Sequence, residues 1–259
     1  MNTIVKSIAH DKSGEPARGD SLGSLLMVRH GQARFLTQHY DSLSPVGRRQ
    51  AALLGQYWAK LGLRFDQVYS GTHQRQHNTS EIVGDTFRRH NIPWPVPVLL
   101  RELDEFPGDE LLKKCLPALL ATNEQIKTRY KAFKDANTKV DRFRRFQQVF
   151  ELVCDMWILG TLTADDIETW SEFDRRVNTA LSRMSAEALG KNVVVFTSGG
   201  VIAVTVQRAL GISSKKTIDL AWHLRNTSCS EFIVSEDRFT LNTLNCVPHL
   251  EETSIWTYR

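Results

Sequence analysis

The apolar run Leu25-Leu26-Met27-Val28 stops at Arg29-His30-Gly31, and a second run, Val193-Val194-Val195-Phe196, stops in the same way at Thr197-Ser198-Gly199-Gly200. Short continuous apolar runs bounded by turn residues are the pattern of strands buried on both faces, which is the situation of a parallel sheet covered by helices. The segments around them carry a helical period. Ser44-Pro45 reads as an N-cap and first helical residue, and Ala51, Leu54, Trp58 and Leu61 follow at helical spacing up to Gly62. Phe65 to Tyr69 is a second strand leaving through Ser70-Gly71, followed by a helix to about Arg89 with Ile82 and Phe87 inside. Pro93, Pro95 and Pro97 forbid a helix, so Val96 to Leu100 reads as a third extended run that stops near Arg101. Phe173, Val177, Leu181 and Met184 mark a helix before the Val193 strand, and Val201, Ile202, Val206 and Leu210 mark another after it, ending at Gly211. Strands near Glu231 to Val234 and Phe239 to Leu244 close the pattern. This alternation predicts an α/β fold, a three-layer α/β/α sandwich around a mostly parallel sheet.

One stretch breaks the alternation. From about 109 to 165 the chain favours helix, is rich in Lys and Arg, and spaces Phe143, Phe146, Phe150, Leu152 and Val153 for a helical face. It reads as a helical cap inserted into a single α/β domain of residues 23–259, preceded by a flexible polar tail over 1–22. That tail mixes Lys6, His10, Asp11, Lys12, Glu15, Arg18 and Asp20 with Gly and Pro and lacks the apolar core of a signal peptide. No stretch is apolar enough to span a bilayer, so no membrane role is expected. The four cysteines, Cys115, Cys154, Cys229 and Cys246, form no Cys-x-x-Cys pair, which points away from a zinc site or a disulfide framework and suits a reducing, cytoplasmic setting. A formal net charge of +4 favours an anionic substrate and is too small to indicate nucleic acid.

In open α/β sheets, ligands collect beyond the carboxyl ends of the strands. Four unusual segments fall there: Arg29-His30-Gly31-Gln32, Ser70 to Arg75, Arg101 to Glu105, and Thr197 to Gly200. An imidazole next to a guanidinium at such an edge suits phosphoryl transfer, with a neutral His30 nitrogen attacking phosphorus while Arg29 grips the phosphate oxygens. Arg75 is placed to add a second guanidinium, and Glu102 or Glu105 could protonate the leaving oxygen. The amides at the Gly199-Gly200 helix start are further anion donors.

These residues resemble a known family. Leu26-Met27-Val28-Arg29-His30-Gly31-Gln32 is similar to the Arg-His-Gly signature of the histidine phosphatase superfamily, in its phosphoglycerate mutase-like branch 1. Leu43 to Ala51 resembles the family's Leu-Thr-x-x-Gly-x-x-Gln-Ala helix start, Val68 to Thr79 its Val-x-Ser-Ser-x-x-x-Arg-x-x-x-Thr segment, and Val193 to Ile202 its final strand and Gly-Gly turn. The resemblance implies a phosphohydrolase acting on a small phosphorylated metabolite, with His30 phosphorylated in passing and with Arg29, Gln32, Arg75, Ser198 and Gly199 around the phosphate. It implies no cofactor, no metal and no nucleic-acid partner, and a homodimer is admissible. Leu-x-Glu occurs twice, ending at Glu102 and Glu105, and Glu105 is preferred as proton donor because Gly108 follows it. One position departs from the pattern: where the family has a second His before the final glycines, this chain has Ser198, and His223 is the candidate to supply the missing cation.

Several side chains also have plainer readings. His73 and His77, spaced i and i+4, would suit two metal ligands, but without an acidic third partner they read as surface helix residues. The basic run from Lys127 to Arg145 reads as a solvated face of the insertion. Three other functions compete with the phosphohydrolase. They are a phosphate-ester-binding protein of weak or no catalysis, motivated by Ser198, a mutase-like phosphotransferase, and a serine hydrolase using Ser198 as an elbow nucleophile. The last lacks the first glycine of Gly-x-Ser-x-Gly, since the string is Phe196-Thr197-Ser198-Gly199-Gly200.

Overall fold

The computed structural model describes residues 22–34 and 41–258, so the tail expected over 1–22 lies, but for Leu22, outside the described residues. Among the described residues six strands form one sheet in the order β3-β2-β4-β1-β5-β6. They are β1 (Gly23–Arg29), β2 (Gln67–Ser70), β3 (Val98–Leu99), β4 (Asn192–Thr197), β5 (Cys229–Val234) and β6 (Phe239–Cys246). The first four run parallel, β5 is antiparallel to β1, and β6 is antiparallel to β5. All seven residues of β1 are buried, as its continuous apolar run requires.

Helices cover both faces. On one, α1 (Pro45–Lys60) and α2 (Gln74–Arg89) bring Leu54, Trp58, Val83 and Phe87 against Leu26, Val28, Val68, Val194 and Phe196. Side chains two apart on a strand share a face, so this set alternates with Leu25, Met27, Val193 and Val195, which are fully buried on the other side. There α7 (Gly199–Leu210) packs on β1 and β6, and the Tyr69 hydroxyl donates to Glu187 of α6 (Trp170–Ala188). A short helix, α8 (Ser214–Ala221), follows α7 where the sequence reading had none. Its N-cap Ser213 accepts from the Lys216 amide, and its eight residues are too few to show a clear period.

β3 is shorter than the extended run expected over Val96 to Leu100. Val96 is 86% exposed and Leu99 49%, so this segment is a sheet edge that the flanking prolines keep from lengthening.

The chain divides into two compact units, residues 1–105 with 177–259, and residues 106–176. The second contains α3 (Gly108–Thr122), α4 (Glu124–Lys134) and α5 (Lys139–Ile158), with Asn123 and Thr138 as the N-caps of the latter two. Its core is aromatic: Trp157 stacks on Phe106 at 5.3 Å and meets the edge of Trp170 at 5.5 Å. Lys127, Lys131, Lys134, Lys139, Arg142 and Arg144 are solvent-exposed.

Candidate active site

The register of the sheet assembles the site. Arg29 pairs with Thr197, Ser70 with Phe196, and Ser70 with Leu99, so the chain leaves β1, β2, β3 and β4 at one edge and at one height. Because β5 enters antiparallel, opposite Val28, the segment Leu224 to Ser228 that precedes it arrives at the same edge. It fastens onto the signature from outside: the Thr227 amide donates to the Arg29 carbonyl at 3.0 Å, and Asn226 Nδ2 donates to the His30 carbonyl at 3.0 Å.

His30 is 6% exposed, and its own amide donates to the Thr197 carbonyl at 2.8 Å. Its Nδ1 lies 2.7 Å from the Gly31 carbonyl, and since a carbonyl only accepts, the ring proton is on Nδ1 and the Nε2 lone pair is free to react. Burial, then the charges of Arg75 and Arg29, hold the imidazole pKa well below 6.5, against the small opposing effect of the Gly31 bond. The ring is therefore neutral and nucleophilic near pH 7. Two glycines permit this loop to lie on the start of α1: a Cβ on Gly31 would stand 2.5 Å from the Gly47 carbonyl oxygen, and one on Gly47 would stand 2.1 Å from the Gln32 oxygen. The Gly31 amide is received by Thr79 Oγ1 at 3.0 Å, which in turn donates to the Arg75 carbonyl at 2.6 Å.

Both guanidiniums are buried and held by acceptors. Arg29 Nη1 donates to the Leu224 carbonyl. Arg75 Nη1 donates to Asp41 at 2.7 Å, and Nη2 to His73 Nδ1 at 3.0 Å. A guanidinium has no acceptor, so Arg75 donates and His73 Nδ1 accepts in this contact. His73 is thus not the surface residue expected: it is the half-buried N-cap of α2, and its side chain orients Arg75. Gln32 accepts from the Ser44 hydroxyl at 2.7 Å, and its backbone amide donates to Gln50 Oε1 at 2.9 Å, so its side chain is fixed beside the His30 loop.

The two candidate acids diverge. Glu105 reaches the start of α7, where its carboxyl oxygens lie 3.1 and 3.2 Å from the Gly200 amide that donates to them. Glu102 is half-buried and lies within the field of Arg183 on α6. The expectation that the Gly199-Gly200 amides serve as phosphate donors is corrected at Gly200, whose amide is already occupied by the Glu105 carboxyl group. Gly199 lies beside a guanidinium, a Cβ there falling at ordinary contact distance, 3.6 Å, from Arg29 Nε and more tightly, 3.2 Å, against the Ala221 carbonyl oxygen. His223 does not enter the pocket. It is exposed at the end of α8 with Nδ1 on the Asp219 carbonyl at 2.8 Å, so it is not the compensating cation. Ser198 is fully buried, and its Oγ receives Gln76 Nε2 at 2.7 Å. An amide donor cannot take up a hydroxyl proton, so the elbow-nucleophile reading has no base in this contact.

Sequence reasoning missed Asp41, Gln76, Asp104 and Asn226. Asp104 receives the Thr72 amide and hydroxyl, both at 2.6 Å, and so braces the loop between β2 and α2. The proximity of Asp104 to Glu105 was the one available signal; the lone Asp41 and Asn226 carry none.

A model of the histidine phosphatase superfamily (branch 1) matches residues 25–247, the span that holds every one of these side chains. The chain belongs to that superfamily. Over 253 residues it is 27% identical to phosphoglycerate mutase-like protein 4 of Arabidopsis thaliana, covering 92% of this chain and 94% of that one. The phosphoglycerate mutase of Bacillus anthracis superposes with a TM-score of 0.59 at 18% identity, covering 89% of this chain and 96% of that one. A phosphoserine phosphatase mutant of Entamoeba histolytica, solved with phosphoserine, does so with a TM-score of 0.54 at 18% identity, covering 88% and 98%. At this identity the solved relatives show that this histidine phosphatase superfamily member shares their fold. Among the described residues no group of His, Cys, Asp and Glu is arranged to hold a metal ion, and no helix is long and apolar enough to cross a membrane.

Proposed function

We propose that this chain is a phosphohydrolase that removes phosphate from a small phosphorylated metabolite through a phosphohistidine on His30. The observation that carries the reading is the neutral His30 imidazole with Nδ1 committed to the Gly31 carbonyl, buried within the fields of two arginines. Nε2 attacks phosphorus as the ester P–O bond breaks, Arg29 and Arg75 share the oxyanion charge, and Glu105 gives its proton to the departing alkoxide. Water then attacks the phosphohistidine, giving its proton back to Glu105 and releasing phosphate and His30. The related proteins named as phosphatases support the reaction class.

The test is a panel of small phosphate monoesters with wild type and His30→Ala, paired with brief exposure to a labelled phosphate donor. An acid-labile label at His30, and loss of both label and turnover in His30→Ala, is the expected result. Unchanged turnover in the variant would sink the proposal. A second reading, a phosphate-ester-binding protein of weak catalysis, is favoured by Ser198 at the place where the family has its second imidazole. Tight ester binding without turnover in clean wild-type protein would select it.

A further inference from the structure

Gln76, in the first turn of α2, is fully buried and has no charge to contribute, yet its side chain reaches the Ser198 hydroxyl. Both hydrogens of its amide are engaged, one by the Leu103 carbonyl at 3.1 Å and the other by Ser198 Oγ at 2.7 Å. The reverse orientation of the amide would press Oε1 against the Leu103 carbonyl, acceptor against acceptor, whereas in the observed one Oε1 receives the His73 amide at 3.3 Å. Gln76 is therefore a donor to Ser198 and cannot accept from it. The Leu103 carbonyl is closed as well, since Thr197 Oγ1 donates into it at 2.6 Å beside Gln76 and fills its second lone pair. Nor does the Ser198 side chain turn back to cap α7. Ser198 itself stands at the site edge, following the Thr197 carbonyl that receives the His30 amide and preceding Gly199 beside Arg29.

We infer that Gln76 is a positioning residue: by occupying the Ser198 oxygen as a donor, it aims the Ser198 hydroxyl proton into the anion pocket, where it bonds a substrate phosphate oxygen. The inference rests on reading this edge as a phosphate site. It assigns the position to a pair, a serine that donates and a buried amide that fixes its direction, with the positive charge left to Arg29 and Arg75. A neutral donor of this kind does not titrate, so its contribution is level across the pH range in which an imidazole would change charge.

The experiment measures binding of orthovanadate and inorganic phosphate by calorimetry on the full chain, with hydrolysis of para-nitrophenyl phosphate alongside. The proteins are wild type, Ser198→Ala, Gln76→Leu and the double variant. Loss of one hydrogen bond to an anion predicts affinity weaker by about tenfold in each single variant, and the double variant no weaker than either. Damage to the fold alone would make the two losses add, and additive losses, or an unchanged affinity in Gln76→Leu, overturn the inference. Where Gln76→Leu does not fold, Gln76→Glu replaces it: a carboxylate would draw the Ser198 proton inward, giving the same loss, which vanishes in a Ser198→Ala background. Oxyanion binding by a wild type that does not turn over would defeat the hydrolase reading and leave this one to the binding measurements. A wild type that binds neither oxyanion overturns both.

Discussion

His249 lies outside the pocket but is tied to it by a chain of contacts whose response to acid follows from the structure. It is 6% exposed, and its Nε2 lies 2.9 Å from Thr227 Oγ1. That hydroxyl already donates to the Asn226 carbonyl at 2.7 Å, so His249 Nε2 carries the ring proton and Thr227 accepts it. Asn226 in turn holds the His30 carbonyl. Burial lowers the His249 pKa from 6.5 to about 3. The unfolded chain takes up a proton below pH 6.5 that the folded protein refuses until about pH 3, so stability is full above pH 6.5 and falls as the pH drops between those values. At about 1.4 kcal/mol per pH step, this one ring costs roughly 3 kcal/mol by pH 4.5 and on the order of 5 kcal/mol at the acid limit. His30, also lowered, adds to the loss in the same direction. The assay is urea unfolding of wild type and His249→Gln at pH 7 and pH 4.5. Glutamine keeps a donor for Thr227 and does not titrate, so the variant should lie within about 1 kcal/mol of wild type at pH 7 and overtake it by roughly 3 kcal/mol relative to that difference at pH 4.5. All other titrating groups are common to both proteins and cancel. Parallel losses of stability in the two proteins would refute the reasoning.

Arg75→Met removes one of the charges that keep His30 neutral, so the acid limb of kcat/KM should move to higher pH, toward 6.5, while KM rises; an unmoved limb would mean that burial and Arg29 set the imidazole without Arg75. Glu105→Gln should slow hydrolysis of an alkyl phosphate far more than that of para-nitrophenyl phosphate, whose leaving group needs little protonation, and Glu102→Gln should match wild type on both. Gly47→Ala would drive a methyl group into the Gln32 carbonyl, costing about 1–3 kcal/mol in unfolding experiments and lowering kcat through the displaced His30 loop. Asn226→Ala should lose roughly 1 kcal/mol of stability for each bond it gives up, to the His30 carbonyl and to Thr257, with a fall in kcat.

The local and periodic features of the chain were legible without coordinates. Leu25 to Val28 and Val193 to Phe196 declared strands buried on both faces, Ser44-Pro45 declared a helix start, and the order of these elements was enough for a layered sheet with its ligand edge beyond His30 and Ser198. Those signals depend on spacing within one segment, which is what a sequence states directly. The reversed entry of β5 was not visible, because strand direction depends on pairing partners rather than on the strand's own residues. From that reversal comes the arrival of Leu224 to Thr227 at the signature, and with it the roles of Asn226 and the Leu224 carbonyl. Which of Glu102 and Glu105 reaches the α7 amides depended on the turn at Arg101–Leu103, which brings Glu105 to Gly200. The removal of His223 and the partnering of Ser198 by Gln76 were decided by contacts between residues up to 122 positions apart. The sequence by itself determined the family of elements and the candidate imidazole at the sheet edge; the tertiary structure decided the burial and hydrogen-bond partners of that imidazole, because both exist only once distant segments have packed.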